Sequence, residues 1–73
     1  MKTVKIHETI ADLAYLAGVK QFYSGDSRTD IKLFISWANE FEGIHKNTDW
    51  NEVDYMLEIE SYADSQINLC LTS

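Results

Sequence analysis

Two histidines, one cysteine, a cluster of hydroxyl side chains and an Asp/Glu pair are the residues here with chemistry to offer. Metal binding and nucleophilic catalysis both need such groups gathered at set spacings. His7 and His45 stand 38 positions apart, and neither lies at a metal-ligand or triad spacing. His45, beside Lys46 at the expected end of a helix, complements that helix's negative pole. Ser24, Ser27 and Thr29 read as turn and cap residues, and Asp49/Glu52 as a helix cap rather than a general acid/base pair. Gly25 alone makes no phosphate loop. Cys70 is the single cysteine, so no internal disulfide can form, and it reads as a small buried hydrophobe. The expectation is no catalytic set, no metal site, no cofactor and no enzyme.

What the chain does have is a charge gradient. Residues 1–37 carry five Lys/Arg and four Asp/Glu, while residues 38–73 carry eight acids and the single base Lys46. The first half is at +1 and the second at −7, which together make the net charge of −6. Such a field repels nucleic acid and favours basic protein surfaces. A hydrophobic content of 45% argues against disorder. No apolar run reaches membrane-spanning length, and the polar His7, Glu8, Thr9 and Asp12 leave no secretory core after the first lysines. A cytoplasmic protein without membrane contact is expected. A chain of 73 residues is one small domain, residues 1–73, which usually needs good helix packing or self-association for stability.

The elements that must position these charges are three helices, with no repeat and no proline. The first runs from about Lys5 to Phe22, with Ile6, Ile10, Leu13, Ala14, Leu16 and Ala17 on one stripe. Gly18 either caps it or is tolerated inside it. After the break at Tyr23-Ser24-Gly25-Asp26, Ser27 and Asp30 form a short capping box for a second helix, Arg28 to about Phe41 or Glu42. Asp49, with Glu52 three positions later, starts a third helix reaching about Asn68. The tail Leu69–Ser73 either frays or pairs with Val4–Ile6 as a small sheet. The fold expected is all-α, a three-helix bundle that a dimer partner could complete.

Two of the helices have more apolar surface than a surface helix needs. In the second, Ile31, Phe34, Ile35, Ala38 and Phe41 form one stripe and Leu33, Trp37 and Ile44 another, which suits a central helix covered on both sides. In the third, Trp50, Val53, Met56, Leu57, Ala63 and Ile67 share a broad packing face. Tyr55, Ile59 and Tyr62 form a second stripe at i, i+4, i+7. Aromatic stripes rimmed by charge suit an interface. The partner-binding set expected is therefore Glu52, Asp54, Tyr55, Glu58, Ile59 and Tyr62. The expected partners are a protein with a basic surface and a second copy of the chain.

Two resemblances bear on function. Thr9 to Val19, with its Ala14-to-Gly18-Val19 step, resembles the first helix and turn of bacterial helix-turn-helix repressors. That implies a DNA-binding regulator, but the following Lys20-Gln21-Phe22-Tyr23-Ser24-Gly25-Asp26 breaks where a recognition helix should begin, and bases are too few to neutralise several phosphates. In size, acidity and style, the chain resembles small phage-encoded accessory proteins of the anti-CRISPR and anti-defence kind. The stretches Tyr23–Arg28 and Thr48–Tyr55 resemble parts of uncharacterised phage reading frames and carry no functional residue over; the anti-defence likeness rests on size, charge and style. It implies binding and inhibition of a host defence or nucleic-acid-binding protein by an acidic helical surface. A homo-oligomeric assembly protein is the remaining alternative.

Overall fold

The computed structural model describes residues 5–46 and 48–72. Three helices fill most of them: α1, Ile6–Val19; α2, Ser27–His45; and α3, Glu52–Thr72. Among the described residues there is no strand, and the fold is a small all-α bundle. The sheet pairing of Leu69–Ser73 does not form. Those residues to Thr72 continue α3, and the Thr72 hydroxyl donates to the Asn68 carbonyl at 2.9 Å. Val4, the start of the other proposed strand, lies outside the described residues, as does Ser73.

The helices run up, down and up. Thr9 and Asp12 of α1 meet Tyr55 near the start of α3, and Lys20 just past α1 meets Asp64 further along it. Phe41 and His45, late in α2, meet the first turns of α3. The bundle measures 36 × 20 × 19 Å. Its long axis is set by α3, whose 21 residues span about 31 Å at 1.5 Å per residue.

α1, not α2, is the central helix: it contacts both of the others. The reason is side-chain size and polarity. Thr9, Leu13 and Ala17 are fully buried, and small Ala14, Ala17 and Gly18 let a neighbour approach closely. Asp12 of α1 is half-buried, and Tyr55 of α3 donates to it. On α2 the core face is turned from the expected stripe. Phe34, Trp37, Ala38 and Phe41 are buried, while Ile31 and Ile35 are 52% and 39% exposed. The aromatic rings, with more area to bury, take the interior. Trp37 lies between Phe22, with centroids 6.0 Å apart, and Phe34 at 5.8 Å.

The helix ends also differ from the capping scheme expected. α1 stops at Val19, and Gly18 lies within its last turn. The Phe22 amide donates to the Ala17 carbonyl at 2.8 Å and the Gln21 amide to Gly18 at 3.0 Å. This is a Schellman stop in which Gln21, at φ 55°, takes the left-handed place that glycine usually fills. Gln21→Gly should therefore stabilise the fold by about 1 kcal/mol, read as a raised urea midpoint. No change in midpoint would mean that the side chain offsets the strain.

α2 begins with Asp26 as N-cap rather than Ser27. One Asp26 oxygen accepts from the Arg28 amide at 3.0 Å and the other from the Thr29 hydroxyl at 2.8 Å. These bonds, Thr29's first, hold the Asp26 carboxyl below its ordinary value. Asp30 does something else. Nearly buried, it accepts from the Ser24 amide at 3.1 Å and ties the preceding loop to the helix.

Candidate functional site

α3 is positioned by a reciprocal cap two residues later than expected. Asn51 Oδ1 accepts from the Asp54 amide at 2.8 Å, and Asn51 Nδ2 donates to Asp54 Oδ2 at 2.9 Å. The expected pair Asp49/Glu52 is thus replaced by Asn51/Asp54, both exposed. Either pair has an acceptor followed by an acid three positions on, so spacing alone does not separate them. Asn51→Ala should cost about 0.5–2 kcal/mol by urea titration, and Asp49→Ala much less. The reverse order would restore the earlier helix start.

From that start the helix turns a different face to the core than its polarity suggested. Tyr55, Ile59, Ala63 and Ile67, each four positions apart, point inward at 0–5% exposure. Tyr55 and Ile59 are therefore core residues and not partner-binding ones. Tyr62, the third member of that stripe, is half-buried against Phe41, with ring centroids 5.4 Å apart. The physical cause is the polar bridge between α1 and α3. The Tyr55 hydroxyl donates to Asp12 Oδ2 at 2.9 Å and lies 3.4 Å from the Thr9 hydroxyl, so it is satisfied inside. Burial raises the Tyr55 phenol to about 12, with Asp12 adding to the rise. Burial and the charge of Glu40 do the same for Tyr62.

Of the expected packing face, Val53 at 68%, Leu57 at 62% and Met56 at 37% exposure lie outside, and Leu69 and Leu71 further along α3 are exposed as well. The signal that separates them lay in the sequence: Val53 and Leu57 sit two residues out of phase with Tyr55 and Ile59, so the faces cannot both be buried on a single neighbour. Beside them stand the acids. Glu52, Asp54, Glu58 and Glu60 are exposed. Asp54 is engaged in the cap, and Glu58 lies 3.9 Å from His45 Nε2. Asp64 pairs with Lys20 at 2.9 Å, with both side chains nearly half exposed. Leu57, Glu60, Ser61, Asp64, Ser65 and Asn68 line a shallow open hollow of about 350 Å³ along this face.

The remaining reactive types are dispersed. His7 is exposed on α1. His45 is packed against Phe41, at 4.6 Å between centroids, and Trp50, at 5.1 Å, so it joins the aromatic cluster as well as ending α2. Cys70 is exposed on the last turns of α3 rather than buried, because α3 extends beyond the end of α1. Among the described residues, no group of three or more His, Cys, Asp or Glu could hold a metal ion. The outer face of α3 presents carboxylates on a capped helix, with Val53 and Leu57 exposed among them. The helix-turn-helix likeness is not carried through, since seven residues separate the end of α1 from the start of α2, which runs back along it.

No family model matches the chain, and no curated protein or solved structure does so either.

Proposed function

We propose that the protein is a binding module whose α3 outer face occupies a basic surface on another protein. The reading is supported above all by Val53 and Leu57, exposed on a capped helix beside Glu58 and Glu60. Apolar area supplies affinity on such a face, and the surrounding carboxylates select a cationic partner and speed its approach. The acids of residues 38–73 give the same half of the chain its long-range field.

The partner class that fits is a host protein that itself grips nucleic acid with lysines and arginines. The protein would then act in the manner of phage-encoded anti-defence and anti-CRISPR proteins, as an inhibitor that blocks a phosphate-binding groove by occlusion. Its place of action on this reading is the host cytoplasm. No described helix is long and apolar enough to cross a membrane, which is compatible with that site.

Capture of the partner from a bacterial lysate, followed by kinetics on the purified pair, tests this. The charge reversals Glu58→Lys and Glu60→Lys are the informative ones. They spare the cap acid Asp54 and the Lys20 partner Asp64. Together they should slow association about 10-fold or more and weaken its salt dependence, with the melting temperature little changed. Unchanged association kinetics would reduce the acidic face to a solubility device. A salt-sensitive shift of duplex DNA by the wild-type chain would favour a regulator instead.

A further inference from the structure

We propose that a second copy of this chain docks on the outer stripe of α3, using the outer stripe of its own α2. This rests on the reading of α3's outer face as a docking surface and names one occupant for it.

The observation is a match of spacing and chemistry. Val53, Leu57, Glu60 and Asp64 follow one another at intervals of four, three and four, and form one line along α3. Arg28, Lys32, Ile35 and Asn39 follow at the same intervals along α2. Both lines face outward: Val53 and Leu57 are largely exposed, Ile35 is 39% exposed, and Arg28, Lys32, Asn39 and Glu60 are exposed. Laid antiparallel, the lines pair position by position. Arg28 meets Asp64, Lys32 meets Glu60, Ile35 meets Leu57, and Asn39 meets Val53. A shift of one helical turn in either direction leaves only one of the two ion pairs. The register is therefore specified by charge.

The contact cannot be satisfied within one chain. There, α2 and α3 meet through Phe41, His45, Tyr55 and Tyr62, which lie on their other faces. Asp64 is held by Lys20 at 2.9 Å, but its side chain is 40% exposed, and a carboxylate has acceptor sites to spare. Leu57, Glu60 and Asp64 of the α3 line border the shallow hollow on that helix, which gives Ile35 and Lys32 of a second copy a surface to enter. Each copy carries both halves of the contact, so one association can create it twice. The net charge of −6 on each copy opposes approach, so self-association strengthens as added salt screens that repulsion.

Sedimentation of the purified chain, with no foreign partner present, is the test. The wild type should show a mass of at least twice 8.4 kDa as concentration rises. One variant carries Arg28→Glu with Lys32→Glu, and the other carries Glu60→Lys with Asp64→Lys. Each alone should remain at 8.4 kDa, because it sets like charges against each other. Mixed in equal amounts they should associate, since each then offers the charge that the other needs. Circular dichroism checks folding, and the single changes Lys32→Glu and Glu60→Lys repeat the exchange should either double variant unfold. A wild type that stays monomeric, variants that associate like it, or a mixture that stays apart would each overturn the proposal. None of these outcomes touches binding of a foreign basic protein, which is measured separately.

Discussion

Phe41→Ala is expected to remove about half of the chain's stability. Phe41 is fully buried and touches His45, Tyr55 and Tyr62, with centroids 4.6, 6.2 and 5.4 Å away. α2 and α3 meet largely through these rings, so truncation opens a cavity where the two helices have least other contact. Removing a buried phenylalanine typically costs about 3–5 kcal/mol. A chain of this length has only about 4–11 kcal/mol in total. Circular dichroism at rising temperature reads the result directly. A fall in melting temperature of about 12–40 °C is expected. A fall in melting temperature of only a few degrees would mean that α3 is held by α1 alone. Phe41→Leu, which keeps most of the volume, should recover the greater part of the stability.

The second large effect is expected at Tyr55→Phe. Only one oxygen is lost, but that oxygen joins α1 to α3 through Asp12 at 2.9 Å. The Thr9 hydroxyl keeps its bond to the Lys5 carbonyl at 3.0 Å, so the loss falls on Asp12. A hydrogen bond to a charged group contributes about 1.5–3 kcal/mol, and that is the drop expected from urea titration. The variant also changes the response to alkali. The folded phenols of Tyr55 and Tyr62 both lie at about 12 against an ordinary 10.0. A raised folded value favours the native state fully below 10, and the advantage is lost as pH rises through 12. Wild-type stability should thus fall steeply across that interval. Tyr55→Phe should fall less steeply, keeping only the part due to Tyr62. Equal slopes for the two proteins would show that Tyr55 ionises freely in the folded chain.

The residues expected to bind a partner illustrate how far the pattern of residues carries and where it stops. Glu52, Asp54 and Glu58 are exposed, as their polarity demands, because burying an unpaired carboxylate is prohibitive on any helix. Yet Asp54 turns out to be a cap residue, so reversing its charge would damage the start of α3 as well as any interface. Tyr55 and Ile59 are the reverse case. An aromatic stripe beside acids suits a surface and a core equally well by composition. The choice fell to the core because Thr9 and Asp12, more than forty residues away, stand where the tyrosine hydroxyl arrives. Once that stripe turned inward, Val53 and Leu57 had to turn out.

By itself the sequence determined three helices, the break at Tyr23–Asp26, the all-α class and the acidic second half. Each of these depends on short-range physics: period, turn residues and the count of charges. It also held the ingredients of each cap, with acceptor and acid at the right interval. Only the tertiary structure decided which of two equivalent cap registers is used, that α1 is central, and which of two apolar faces on α2 and α3 is buried. Those choices compare the packing of large rings and the satisfaction of buried hydroxyls across the bundle. Such energies exist only when the helices are side by side.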